Sequence, residues 1–133
     1  EVYGADSHHC RITAAERLNM SDDITAETLA QALTKARAAA LAADPGENND
    51  GGSCNLDSPT VRLKGIKSSS IRKAQEISGV SLDGPMRGGF WRGSYFVRTP
   101  EYGQANRRST MAEAACKSLR ESGLDACMFC HAD

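Results

Sequence analysis

The chain has 133 residues, 5% of them aromatic, and its 16 Lys and Arg against 17 Asp and Glu leave a formal charge of -1. This length is typical of one domain that is able to bury a core. The near-zero charge sum indicates no particular partner. No apolar run approaches the roughly 20 residues that a membrane helix needs, so we predict a soluble protein without a membrane partner.

The charge is distributed unevenly along the chain. Residues 1–57 hold four basic and ten acidic residues, net -6, whereas residues 58–133 hold twelve and seven, net +5. Either the two halves attract each other and keep the molecule soluble, or the basic half offers a surface to an anionic partner. We predict a single domain over 1–133, with an acidic helical part at 1–44, a flexible loop at 45–53 and a basic α+β part at 54–133.

The five cysteines are an odd number, so a complete disulfide framework is impossible. No signal peptide is visible in the sequence. Reduced thiols in a cytoplasmic protein are the simplest account, and we predict that location and no cofactor.

The acidic part predicts two helices. Thr13 and Glu16 form a T-x-x-E capping box before a short helix, and Thr25 can cap a longer one that runs to about Ala43. Asp44 and the Pro-Gly pair after it end this second helix. Its predicted buried stripe is rich in alanine and consists of Leu29, Leu33, Ala36, Ala40 and Ala43.

The basic part begins with a strand in which Val61 and Leu63 alternate with polar residues. A serine at 68, 69 or 70 then caps a helix that ends at Gly79. Its predicted buried residues are Ile71, Ala74 and Ile77. The sequence VSLDGP after it predicts a short strand and a turn.

The last third of the chain predicts a strand, a helix and a strand. In the strand 88–100 the alternation buries Trp91, Gly93, Tyr95 and Val97 and leaves Phe90, Arg92, Ser94, Phe96 and Arg98 partly exposed. Thr110 and Glu113 form a capping box for the helix, and Gly123 ends it. Its apolar face consists of Met111, Ala112, Ala115 and Leu119, and the last strand covers 124–130.

From Ser58 onward the order is strand, helix, strand, strand, helix, strand. This is the split β-α-β pattern of ferredoxin-like sandwiches, so we predict an α+β fold with a four-stranded antiparallel sheet, both helices on one face and two additional N-terminal helices. The other face is either open or covered, and the simplest occupant is the alanine-rich helix 25–43. The side chains expected on that face are Arg62, Lys64, Arg92, Ser94, Phe96, Arg98, Cys127, Phe129 and His131.

The sequence RGSYFV (92–97) resembles the third-strand signature of the RNA-recognition motif, which begins with a basic residue and Gly and places aromatic residues on an open sheet face. The resemblance extends over 59–133 as a pattern. Ser94 replaces a stacking aromatic residue, Tyr95 replaces Gly or Ala, and Arg62 stands at the first-strand stacking position. The resemblance implies RNA or polyanion binding, for which we select Arg62, Arg92, Phe96, Arg98, Phe129 and His131; the alternative is an ordinary strand with solvated arginines.

Two further clusters are typical of anion binding. Ser68 and Ser69 lie at a helix start beside Lys67, where backbone N–H groups attract phosphate, although serine caps also occur without a ligand. Arg107 and Arg108 lie just before the next helix. We expect the two helices to start at opposite ends of the sheet, so that only an extended partner such as a nucleic acid strand would reach both clusters.

The spacing C-M-F-C-H (127–131) is that of c-type haem attachment, and together with His8, His9 and Cys10 it suggests a metal site. In a strand, however, Cys127 and Cys130 point to opposite faces, so we predict buried inert thiols and no metal. Cys54 is the first candidate for a reactive thiol; the alternative is a buried strand-entry residue.

Three hypotheses about function follow. The sequence determines neither the function nor the partner; the best prediction is a small soluble, non-catalytic binding or interaction module, for instance one that binds a protein. The alternatives are an RNA or polyanion binder that uses the sheet face, and a thiol-dependent or metal-dependent enzyme.

Overall fold

The computed structural model describes residues 25–46, 58–98 and 105–129 of the chain. The described part is an α+β fold, as predicted, with three α-helices beside a four-stranded sheet. The helices are α1 (Ala26–Ala42), α2 (Ser68–Ser78) and α3 (Ala105–Glu121), and the strands are β1 (Ser58–Arg62), β2 (Ser81–Asp83), β3 (Ser94–Arg98) and β4 (Asp125–Phe129). The helix predicted after Thr13 and most of the loop 45–53 lie outside the described residues.

The sheet is open and antiparallel, with the strand order β2-β3-β1-β4. Strand β1 is central, since Thr60 pairs with Phe96 of β3 on one side and with Cys127 of β4 on the other. Directly paired residues of antiparallel strands point to the same face. The register therefore assigns every strand residue to one of two faces.

The inner face of the sheet is the side that carries Val61, Val97 and Ala126, and all three are fully buried in one core with the helices. The outer face carries Arg62, Phe96, Arg98 and Phe129. This division is the one that strict alternation along the strands predicts. Helix α3 lies on the inner side, in contact with β1 and β4.

Helix α1 packs against α3 and α2. It does not cover the outer face, which is where the sequence pattern placed it as the simplest occupant. Its buried stripe of Leu29, Leu33, Ala36 and Ala40 belongs to the same core as the inner face of the sheet. Small side chains in this stripe let the helix axes approach closely. The prediction of a cap at Thr25 is confirmed, because its hydroxyl accepts a hydrogen bond from Thr28 N at 3.2 Å.

Helix α2 starts earlier and buries a different stripe than predicted. Its N-cap is Lys67, and over the described part of the chain the structure shows no side-chain capping bond there, so the predicted serine cap is wrong. The exposed fraction of Ile77 is 52%, because the helix buries Ile71, Ala74 and Ser78, which repeat at helical spacing. The predicted end at Gly79 is confirmed by its left-handed φ of 73°.

Helix α3 begins at Ala105, so the capping box predicted at Thr110 and Glu113 is wrong. The Thr110 hydroxyl donates instead to the carbonyl of Asn106 at 2.8 Å, a bond within the helix. Arg107 and Arg108 therefore lie in the first turn of the helix rather than before it. The predicted apolar face is confirmed, since Met111, Ala112, Ala115 and Leu119 are fully buried.

The strand predicted at 88–100 is shorter than expected. Strand β3 occupies only Ser94–Arg98, and Gly89–Trp91 forms a 3-10 turn ahead of it. Gly89 and Gly93 adopt φ of 62° and 83°, values outside extended backbone that glycine adopts at no steric cost. Trp91 consequently leaves the alternation that placed it on the inner face.

Candidate functional site

The connection between β2 and β3, residues 84–93, lies across the outer face of the sheet; we call it the strap. Its ends are fixed by backbone hydrogen bonds from Met86 N to Ser94 O at 2.9 Å and from Gly93 N to Met86 O at 3.0 Å. The Arg62 side chain of β1 donates to Phe90 O, and Trp91 contacts Phe129 of β4. The strap thus extends from β3 over β1 to the edge strand β4.

Four aromatic rings meet where the strap covers the sheet: Phe90, Trp91, Phe96 and Phe129, which we call the outer aromatic cluster. Phe96 and Phe129 are 5.2 Å apart between ring centroids, Trp91 and Phe129 are 5.1 Å apart, and Phe90 and Trp91 are 5.0 Å apart. All three contacts are edge-on, a favoured aromatic geometry. Phe90 is the most exposed of the four rings, at 37%, and the others are half-buried.

Arg98 covers part of this cluster. Its guanidinium carbon lies 5.5 Å from the Phe96 ring centroid, within the range of a cation–π contact. The same guanidinium forms an ion pair with Asp83 of β2 through Nε and Oδ2. The side chains of Arg98 and Asp83 remain 46% and 52% exposed, so both are in contact with solvent.

Several polar residues of the outer face are buried. Thr60 donates to Cys127 O at 2.6 Å, and both residues are about 1% exposed. Ser94, expected to be partly exposed, is fully buried, and its hydroxyl finds no hydrogen-bond partner among the described residues. The centre of the outer face is thus closed, and the accessible surface consists of the cluster and its rim.

The structure brings together most of the residues selected for RNA binding. Arg62, Phe96, Arg98 and Phe129 share the outer face, and Arg92 is exposed in the strap. Arg62, at the first-strand stacking position, donates a hydrogen bond to Phe90 O of the strap. His131 lies outside the described residues.

The residues selected for anion binding lie in two separate places. Lys67, Ser69 and Lys73 line an open cleft of about 500 Å³ together with Thr25 and Ala26. Ser68 is the first residue of α2 and is exposed. Lys73 also lies 3.7 Å from the carboxylate of Glu27 across the same cleft.

The second anion cluster lies at the other end of α1. Arg107 donates from Nε and Nη2 to the two carboxylate oxygens of Asp44, at 2.7 and 2.9 Å. This bond, together with a hydrogen bond from Gly46 N, lowers the pKa of Asp44 to about 2. Helix α1 has 17 residues, which makes it about 25 Å long. Arg107 and its neighbour Arg108 are therefore far from Lys67, and one small ligand cannot bind both clusters.

The described residues give little support to the hypotheses of a metal site or a reactive thiol. Within 25–46, 58–98 and 105–129, no three His, Cys, Asp or Glu side chains are grouped as a metal site requires. Cys116 and Cys127 are each 1% exposed. His8, His9, Cys10, Cys54 and Cys130 lie outside the described part. No helix in that part combines the length and the apolar character needed to cross a bilayer.

Sequence reasoning missed two features of the outer face. Trp91 was expected on the inner face, and the glycines that flank it at 88, 89 and 93 were the available signal of a turn. Asp83 was not selected as a site residue. In the sheet, Asp83 of β2 pairs with Phe96 of β3. Only strand pairing reveals that proximity.

Chemically, the outer face offers aromatic rings beside exposed guanidinium groups, a combination that binds flat, anionic ligands. Arg92 and Arg98 supply the exposed positive charge, and Phe90 supplies the most accessible ring. Comparisons of the chain with protein-family models, with curated proteins and with solved structures found no match in any of the three.

Proposed function

We propose that the chain is a non-catalytic binding module. It binds single-stranded RNA on the outer face of its sheet and on the strap. The observation that supports this most strongly is the outer aromatic cluster, with Arg98 over the Phe96 ring and Arg92 exposed next to Trp91 in the sequence. Rings and guanidinium groups together match the bases and phosphates of a single strand.

The bases would stack on the cluster. Phe90 is 37% exposed at the turn of the strap, so a base can reach its ring without rearrangement of the sheet. Stacking of one base on an aromatic side chain contributes about 1–3 kcal/mol and tolerates any base. We therefore expect weak sequence preference.

The phosphates would be neutralised by the arginines around the cluster. Strands β1, β2 and β3 and the strap together hold four arginines, Arg62, Arg87, Arg92 and Arg98, and one carboxylate, Asp83. The four described strands contain only two carboxylates, Asp83 and Asp125, and Asp125 is 1% exposed. Such a surface attracts a polyanion and releases its counterions, so binding should weaken as salt rises.

We further propose that the sandwich is ferredoxin-like. The element order from β1 onward and the strand order β2-β3-β1-β4 support this. The odd number of cysteines supports the proposed cytoplasmic location. A protein partner, and a thiol-dependent or metal-dependent enzyme, remain hypotheses from the sequence alone.

Fluorescence anisotropy with a labelled pool of mixed-sequence single-stranded RNA, between about 50 and 200 mM salt, tests the proposal. The variant R92E/R98E reverses two charges at the cluster, and we expect it to lose binding. The matched control R72E/K117E makes the same charge change on exposed positions of α2 and α3. It should retain most of the affinity.

A third variant separates base stacking from charge. Phe90→Ala should weaken RNA binding by about 5-fold to 150-fold, the factor for one stacked base, and leave retention on heparin, which has no bases, unchanged. An absence of RNA binding by the unaltered protein would refute the proposal. Equal losses in R92E/R98E and R72E/K117E would also refute it, because binding would then follow net charge alone.

A further inference from the structure

We propose that Asp83 restrains the binding face: its carboxylate holds Arg98 over the Phe96 ring and competes with a nucleic acid phosphate for that guanidinium. The inference rests on the proposed function and adds its regulation. It makes Asp83 a positioning residue, since it acts through Arg98 and not by contact with the ligand.

The sheet register sets this arrangement. Asp83 of β2 lies directly opposite Phe96 of β3, and Arg98 is the next residue along β3 on the same face. The Asp83 carboxylate and the Phe96 ring are thus both within reach of one guanidinium. The ion pair with Asp83 therefore holds the Arg98 guanidinium over the Phe96 ring.

This position blocks two uses of the site at once. A phosphate that approaches Arg98 meets a guanidinium already bonded to a carboxylate and meets the negative charge of Asp83 as well. A base that approaches Phe96 meets a ring partly covered by Arg98, with the edge of Phe129 on another side. Breaking the bond between Asp83 and Arg98 therefore frees both the charge and the ring.

The restraint is weak enough to yield to a ligand. Both partners are about half exposed, and ion pairs at such positions contribute little because water and salt screen them. Asp83 should therefore lower the affinity for RNA by a small factor and not abolish binding. The expected size is about 2-fold to 5-fold, the equilibrium equivalent of an exposed ion pair.

Asp83→Asn removes the negative charge and keeps the shape of the side chain. We expect the affinity for the mixed-sequence RNA pool to rise by that factor, and the salt dependence to steepen by about one phosphate contact. Glu76→Gln is the matched control, since it removes an exposed carboxylate from α2 in the helical layer. It should leave the affinity within error of the unaltered protein.

A double-mutant cycle separates release of Arg98 from simple repulsion. Asp83→Asn is measured again in a protein that already carries Arg98→Gln, with urea unfolding used to verify that every variant is folded. If Asp83 acts by holding Arg98, the gain disappears in this background. A gain of equal size in both backgrounds would overturn the inference in favour of long-range repulsion.

The remaining outcomes are also decisive. RNA binding by the unaltered protein that is unchanged or weakened in Asp83→Asn overturns the inference and leaves the proposed function standing. Failure of both the unaltered protein and Asp83→Asn to bind RNA overturns the two together.

Discussion

Replacing Leu33 by alanine tests whether α1 packs against the other two helices. In that position α1 does not cover the outer face of the sheet. Leu33 is fully buried in the core shared by the helices and the inner face. The substitution removes three buried carbon atoms, which corresponds to about 2.4 kcal/mol of transfer free energy. The cavity left behind adds to this, so the free energy of unfolding should fall by about 3–5 kcal/mol.

Urea unfolding followed by circular dichroism measures this change. For a slope of about 1.5 kcal/mol per molar urea, the midpoint should fall by about 2–3 M. Leu41→Ala is the matched control: it makes the same change in the same helix at a side chain that is 45% exposed. Its effect should stay within about 0.5 kcal/mol.

Two results would refute the reasoning. Equal effects of Leu33→Ala and Leu41→Ala would show that Leu33 does not lie in the core. A folded Leu33→Ala protein with reduced affinity for single-stranded RNA would show that α1 contributes to the outer face. The structure predicts neither, because α1 contacts α2 and α3.

Two other predictions concern stability. Because hydrogen bonds lower the pKa of Asp44 from 3.8 to about 2, its carboxylate stabilises the fold above pH 3.8, and this stabilisation is lost as the pH falls from 3.8 to about 2. Asp44→Asn should therefore flatten the pH dependence of the urea midpoint in that window; an unchanged slope would contradict the bond to Arg107. Gly84→Ala would place Cβ 2.9 Å from Ser94 O at a φ of 155°, so we expect a loss of about 1–3 kcal/mol. Gly88→Ala meets no described atom within 4 Å, and a melting temperature as low as that of Gly84→Ala would contradict the geometry.

Residue patterns predicted the elements that depend on local signals. The spacing of Leu29, Leu33 and Ala36 and the cap at Thr25 identified α1 correctly, because the same stripe that makes the helix amphipathic is buried in the fold. The start of α3 was missed, since Thr110 and Glu113 match a capping box and nevertheless lie inside the helix. A capping-box motif of two residues does not exclude a further helical turn before it. Here the contact of Arg107 with Asp44 stabilises that turn.

The candidate site was predictable only in part. Alternation along β3 and β4 placed Phe96, Arg98 and Phe129 on one face, because side-chain direction in a strand follows from sequence position alone. The path of the strap was not predictable in this way. It depends on the contact of Trp91 with Phe129, two residues far apart in sequence, and on backbone angles at glycines that permit many routes.

The contacts of α1 also bear on how the chain holds together. Arg107 joins its C-terminal end to α3, Lys73 joins its first turn to α2, and the buried stripe lies between these two links. Noncovalent contacts are therefore distributed along its whole length. We therefore expect that, after a single backbone cleavage between residues 46 and 58, the segment that contains α1 stays bound to the remainder through these contacts alone.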